Sequence, residues 1–114
     1  MTELTASVHA KATFQTPQAT RHLVALCTHF SRRITATCTD TAGHVAFPFG
    51  TCDLMADATQ LTFVAAAPDA GKLFQITDVV TRHLERFAFR ENPTLDWTPF
   101  DPSHALTPFK EIHT

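Results

Sequence analysis

From Leu4 to Phe14 every second residue is apolar. Leu4, Ala6, Val8, Ala10, Ala12 and Phe14 fall on one side, and Thr5, Ser7, His9 and Lys11 on the other. An extended chain sends successive side chains to opposite faces, so this spacing predicts a strand with one buried face. The period changes at Thr16-Pro17. Ala19, Leu23, Leu26, Cys27 and Phe30 recur at helical spacing, which predicts an amphipathic helix. Thr16 is its expected cap, with Pro17 at the first helical position, where a missing amide costs nothing. Arg32 and Arg33 close it, at the end where cations suit the helix dipole.

From Ile34 to Ala67 the period returns to two. Turn residues divide this stretch into four strands, Ile34–Thr39, His44–Phe49, Cys52–Ala56 and Leu61–Ala67, with loops at 40–43, 50–51 and 57–60. Those loops place Ile34, Ala36 and Cys38 opposite Phe49, Phe47 and Val45. The same three face Cys52, Leu54 and Ala56, which in turn face Ala65, Phe63 and Leu61. Every apolar residue then lands on one face, and a slip of one residue would turn a whole strand over. Within HVAFPFGTC, at 44–52, Phe47 and Phe49 are expected in the core. Gly50 opens a tight turn and Pro48 points outward, toward the side where any function would lie.

Asp69 is the expected cap of a second helix, with Leu73, Ile76, Thr77, Val80, Leu84 and Phe87 as its buried stripe. Asn92-Pro93 cannot continue it, so it ends between Phe87 and Arg90. Leu95-Asp96-Trp97 alternates like a short edge strand. The order is β-α-β-β-β-β-α, an α+β domain over 1–100 with an antiparallel sheet and both helices packed on one face. It resembles the TATA-box-binding-protein-like topology, a likeness of element order that carries no function. Residues 101–114, with two prolines and no period, are expected as a tail.

Composition narrows the partners. The net charge is −2 and no basic run occurs, so neither a nucleic acid nor an anionic membrane surface is expected. No apolar stretch approaches the roughly 18 residues of a membrane-spanning helix. The start, MTELTASVHA, lacks a leader pattern, and three scattered cysteines make no disulfide framework, so a cytoplasmic protein with reduced thiols is expected. Cys27, Cys38 and Cys52 all project to the expected core. Walker, GxSxG, HExxH and GxGxxG patterns do not occur in the sequence, so no catalytic residue and no cofactor is assigned.

FPFGTC at 47–52 and HLERFAFRE at 83–91 together resemble a family of small bacterial proteins. It is catalogued as a domain of unknown function, number two thousand two hundred and eighteen. The likeness runs from about Ala6 to Thr98 and takes in the helix around Arg21-His22-Leu23 and His29-Phe30. The family has no established activity. Its occurrence beside, or fused to, siderophore-interacting flavin reductases implies a role near iron handling.

Three groups of residues are candidates for chemistry. His22 and His29 lie on one ridge of the first helix, and His83 borders the stripe of the second. Imidazoles meeting between the helices would suit iron or zinc. But His22 and His29 are two turns apart, about 10 Å of rise, so they cannot share one metal alone, and the metal is left unknown. Arg86 and Arg90 are spaced to grip a carboxylate or phosphate bidentately, or else to pair with nearby acids. The outer face of the sheet is mildly apolar and threonine-rich, with rows Thr37, Ala46, Met55, Thr62 and Thr35, Pro48, Asp53, Val64. Such a face suits a partner. The leading expectation is a non-enzymatic accessory module that binds a ligand or partner, linked to iron or siderophore metabolism. The alternatives are a small histidine- or metal-dependent enzyme and a structural homodimer through the open sheet face.

Overall fold

Residues 8–99, which the computed structural model describes, run as β1 (Val8–Gln15), α1 (Ala19–Phe30), β2 (Thr35–Cys38), β3 (Ala42–Phe47), β4 (Gly50–Ala56), β5 (Gln60–Ala67), α2 (Ala70–Phe87), a 3₁₀ turn (Phe89–Glu91) and β6 (Thr98–Pro99). The strands form one antiparallel sheet in the order β2-β3-β4-β5-β1-β6. One face buries Val45, Cys52, Leu54, Phe63 and Ala65 against Leu23, Leu26 and Cys27 of α1 and Ile76, Val80 and Leu84 of α2. The element order and the two helices on one face agree with the pattern of the sequence. The expected ends, Leu4 and Ala6 of the first strand and the tail at 101–114, lie outside the described residues. No described helix is long and apolar enough to cross a membrane.

Register agrees in part. β4 and β5 pair as expected, Cys52 with Ala65 and Leu54 with Phe63. β3 pairs β4 four residues away from expectation, Val45 with Cys52 and Phe47 with Gly50. β2 and β3 differ by two, Ala36 with Val45. The cause is the hairpin turn. It is Pro48-Phe49, not Gly50-Thr51, because proline's fixed φ suits the first central position of a turn. Even shifts preserve the faces, so the right residues point inward with the wrong neighbours. Pro48 thereby leaves the sheet and needs no ladder amide. Gly50 is the last residue of this turn, at φ 156°. A Cβ there would lie 2.3 Å from the Ala66 carbonyl oxygen and 2.5 Å from Ile76 Cδ1.

Other expectations are corrected locally. Helix α1 begins at Ala19, with Gln18 as its cap. The Thr16 hydroxyl accepts from the Gln18 amide at 3.0 Å, which holds Pro17 in a turn before the helix. Asp69 does cap α2, accepting from the Lys72 amide at 2.8 Å. Cys27 and Cys52 are buried, but Cys38 is exposed at the sheet edge. Burial holds the Cys27 thiol's pKa up to about 12, helped by Cys38 beside it, and burial raises that of Cys52 as well. Both remain protonated packing groups. The last strand among the described residues is Thr98–Pro99. Leu95 and Trp97 before it are half-buried against the core, and the Trp97 indole donates to Thr81 Oγ1 at 2.9 Å.

Candidate functional site

The end of α1, the β3–β4 turn and the middle of α2 surround a cleft of about 520 Å³. Each wall has a sequence cause. The buried stripe of α1 reaches Phe30, the last residue of the helix, so its last turn presents His29 beside the core. The Pro48-Phe49 turn splays Phe47 and Phe49, which stack at 5.4 Å and 18°. On α2, His83 lies one turn after Val79, and its Nδ1 meets the Val79 carbonyl oxygen at 2.7 Å. A carbonyl only accepts, so Nδ1 carries a proton and donates it to this bond.

The rings form one connected cluster. His29 and His83 are 4.7 Å apart between centroids. Phe30 lies 5.0 Å from His83 and 5.2 Å, edge-on, from Phe47. Phe87 meets His29 edge-on at 5.6 Å. Arg32, Arg33, Ile34 and Pro48 complete the lining, which holds no carboxylate, hydroxyl or thiol side chain. The pKa of His29 is lowered first by loss of hydration, then by its neighbour His83 and by the guanidinium groups of Arg32, Arg86 and Arg33. Its ring is therefore neutral near pH 7 and lies in a positive field. The C-terminal end of α1 carries about half a negative charge, too little to offset three guanidinium groups.

The structure brings some candidate residues together and separates others. His29 and His83 meet, and Arg86 is near enough to act on His29's charge. Two imidazoles are too few for a tetrahedral metal site, and no group of three metal-ligating side chains occurs among the described residues. His22 is elsewhere. Its buried ring bonds through Nε2 to Glu91 Oε2 at 2.7 Å, and Glu91 also accepts from the Thr16 hydroxyl. These bonds fasten the 3₁₀ turn to the start of α1. Arg90 stands over the exposed Phe89 ring at 5.5 Å, away from the lining of the cleft. Phe47 and Phe49 are half-buried, packed against the core rather than within it, and line the cleft together with Pro48.

Thr16 first, and then His22, lower the pKa of Glu91 below its ordinary value of 4.5. A depressed carboxylate stabilises the fold above its unfolded pKa and loses that contribution as pH falls through the folded one. Glu91→Ala leaves a buried imidazole unpaired, so it is expected to cost about 1–3 kcal/mol at neutral pH. Urea midpoints at pH 7 and about pH 3.5 check this, because the gap between wild type and variant should narrow in acid.

The outer sheet face is also rearranged. Its rows run Thr35, Ala46, Thr51, Ala66, His9; then Thr37, His44, Asp53, Val64, Lys11; then Ala42, Met55, Thr62, Thr13. The His44 Nδ1–Asp53 Oδ1 pair at 2.6 Å divides the face, and Pro48 is absent from it. Sequence reasoning named Asp53 but missed its partner, which follows only from the corrected register. Arg32, Arg33, Phe30, Phe47 and Phe49 were also missed as site residues. Their signal was an Arg-Arg pair and a Phe-Pro-Phe turn, both consistent with ordinary architecture.

The profile of a family described as "Uncharacterized protein conserved in bacteria (DUF2218)" matches residues 11–98. The NMR structure of PA4090 from Pseudomonas aeruginosa is similar to this chain with a TM-score of 0.70. It is 25% identical, over 80% of this chain and 95% of that one. No curated protein matches.

Proposed function

The chain belongs to that uncharacterized bacterial family, and on this footing we propose that it is a ligand-binding accessory module whose site is the cleft between α1, the β3–β4 turn and α2. The observation that carries the reading is that His29, His83, Phe30, Phe47, Phe49, Arg32 and Arg33 line one cavity of about 520 Å³. That size suits a small organic ligand, and apolar walls with a few charged groups at the rim are how such sites hold one. Binding is favoured over catalysis because the lining pairs neither imidazole with a nucleophile or an acid. A role in iron or siderophore handling is the finer form of the proposal. It is supported by the positive rim, which suits the planar, acidic groups that chelate ferric iron.

Amide NMR titration tests both levels. A panel of small organic anions, with a ferric hydroxamate and a ferric catecholate among them, should move amides of His29–Ile34, Phe47, Phe49 and His83 in the wild type. His83→Ala should weaken those shifts while leaving the rest of the spectrum in place. A panel in which no compound moves a cleft amide overturns the ligand site. If simple anions bind and both ferric chelates do not, the iron link is overturned alone.

A further inference from the structure

We infer that the ligand of this cleft is an aromatic carboxylate, with its ring against the phenylalanine and imidazole walls and its carboxylate at Arg32 and Arg33. The inference rests on the cleft being a ligand site, as proposed above, and adds the chemistry of the occupant. Five rings bound the space, His29, Phe30, Phe47, Phe49 and His83, each within 5.5 Å of another between centroids. An aliphatic guest would gain only buried area there. A flat ring also gains offset or edge-on contacts, which favour it over an aliphatic ring of equal size.

The charge at the rim fixes the other half of the ligand. Elsewhere on the surface two cations pair with acids, Lys72 with Asp69 at 3.3 Å and Arg82 with Asp78 at 3.2 Å. Arg32, Arg33 and Arg86 have no such carboxylate partner among the described residues. Two unneutralised guanidinium groups in the cavity lining, Arg32 and Arg33, with Arg86 close enough to act on His29, in a chain of net charge −2, make the rim favourable to an anion. A guanidinium fork accepts carboxylate and phosphate alike. The apolar walls favour the carboxylate, because a monoanion loses less hydration on entry than a phosphate dianion.

Titration of the full chain with four probes separates these terms: 2-naphthoate, 2-naphthamide, cyclohexanecarboxylate and inorganic phosphate. Cleft amides should report a Kd for 2-naphthoate about tenfold or more below those of the other three. Arg32→Gln with Arg33→Gln should weaken 2-naphthoate by about tenfold and leave 2-naphthamide unchanged. Both arginines are exposed, so the variant keeps its fold, and an unaltered spectrum away from the cleft verifies that. Equal affinity for cyclohexanecarboxylate overturns the aromatic assignment. Equal affinity for 2-naphthamide, or an arginine variant that binds 2-naphthoate normally, overturns the carboxylate assignment. Tighter binding of phosphate does the same. In each of these cases the cleft remains a ligand site, whereas silence at every cleft amide with all four probes overturns the site itself.

Discussion

Gly50→Ala is expected to remove about 3 kcal/mol or more of stability, one of the largest effects of a single methyl group in this chain. Two costs add. The new Cβ would lie 2.3 Å from a backbone oxygen of β5 and 2.5 Å from Ile76 on α2. Neither can yield cheaply, because the first is fixed in the β4–β5 ladder and the second is fully buried. Relief needs the sheet and helix to separate, and overpacking of this kind costs about 1–3 kcal/mol. The backbone adds a second cost, since φ 156° is a conformation that side-chain-bearing residues rarely adopt. Urea denaturation checks the result. A midpoint unchanged from wild type would mean that the close approach of β4 to α2 is not as described.

Phe63→Ala is expected to cost about 3–5 kcal/mol, because the side chain is fully buried and the layers around it cannot collapse into the space. Phe63 lies at the centre of β5, paired with Leu54 on one side and Ala12 on the other. It therefore bears on the three longest strands at once. Its ring also stands 6.0 Å from Trp97, the only tryptophan of the chain. The substitution should thus loosen the segment that returns from α2 to β6. Denaturant melts give the stability loss. The emission of Trp97 gives an independent readout, expected to shift toward the red as the indole gains water. A loss under 1 kcal/mol with unchanged emission would contradict this packing.

The parts of the fold legible in the sequence are those set by local chemistry. Helix α2 was read nearly to its ends, because Asp69 caps it, Ile76, Val80 and Leu84 repeat at helical spacing, and Asn92-Pro93 stops it. The β4–β5 register was read because Asp57 holds a tight connection, accepting from the amides of Thr59 and Gln60. Across β3 and β4 the pattern had no such anchor. Any even displacement puts Val45 and Cys52 inward, so periodicity alone could not place the turn at Pro48-Phe49. The cleft was legible only as separate residues. That His29 meets His83 depends on how two helices pack, and that His22 does not depends on Glu91, eight residues beyond His83 in sequence. Phe47 and Phe49 alternate in the chain just as core residues do. A cleft wall and a core position have the same period, and only the path of the turn distinguishes them.

On one side the sheet ends in a four-residue strand, β2, which has no strand beside its outer edge among the described residues. Backbone edges are where sheets recruit further strands from other molecules. Here β2 offers few unpaired amides. Long, well-paired strands are kept to the interior of the sheet, β4, β5 and β1. A short strand at this edge gives a neighbouring chain little backbone to pair with, so edge-to-edge association through β2 is disfavoured.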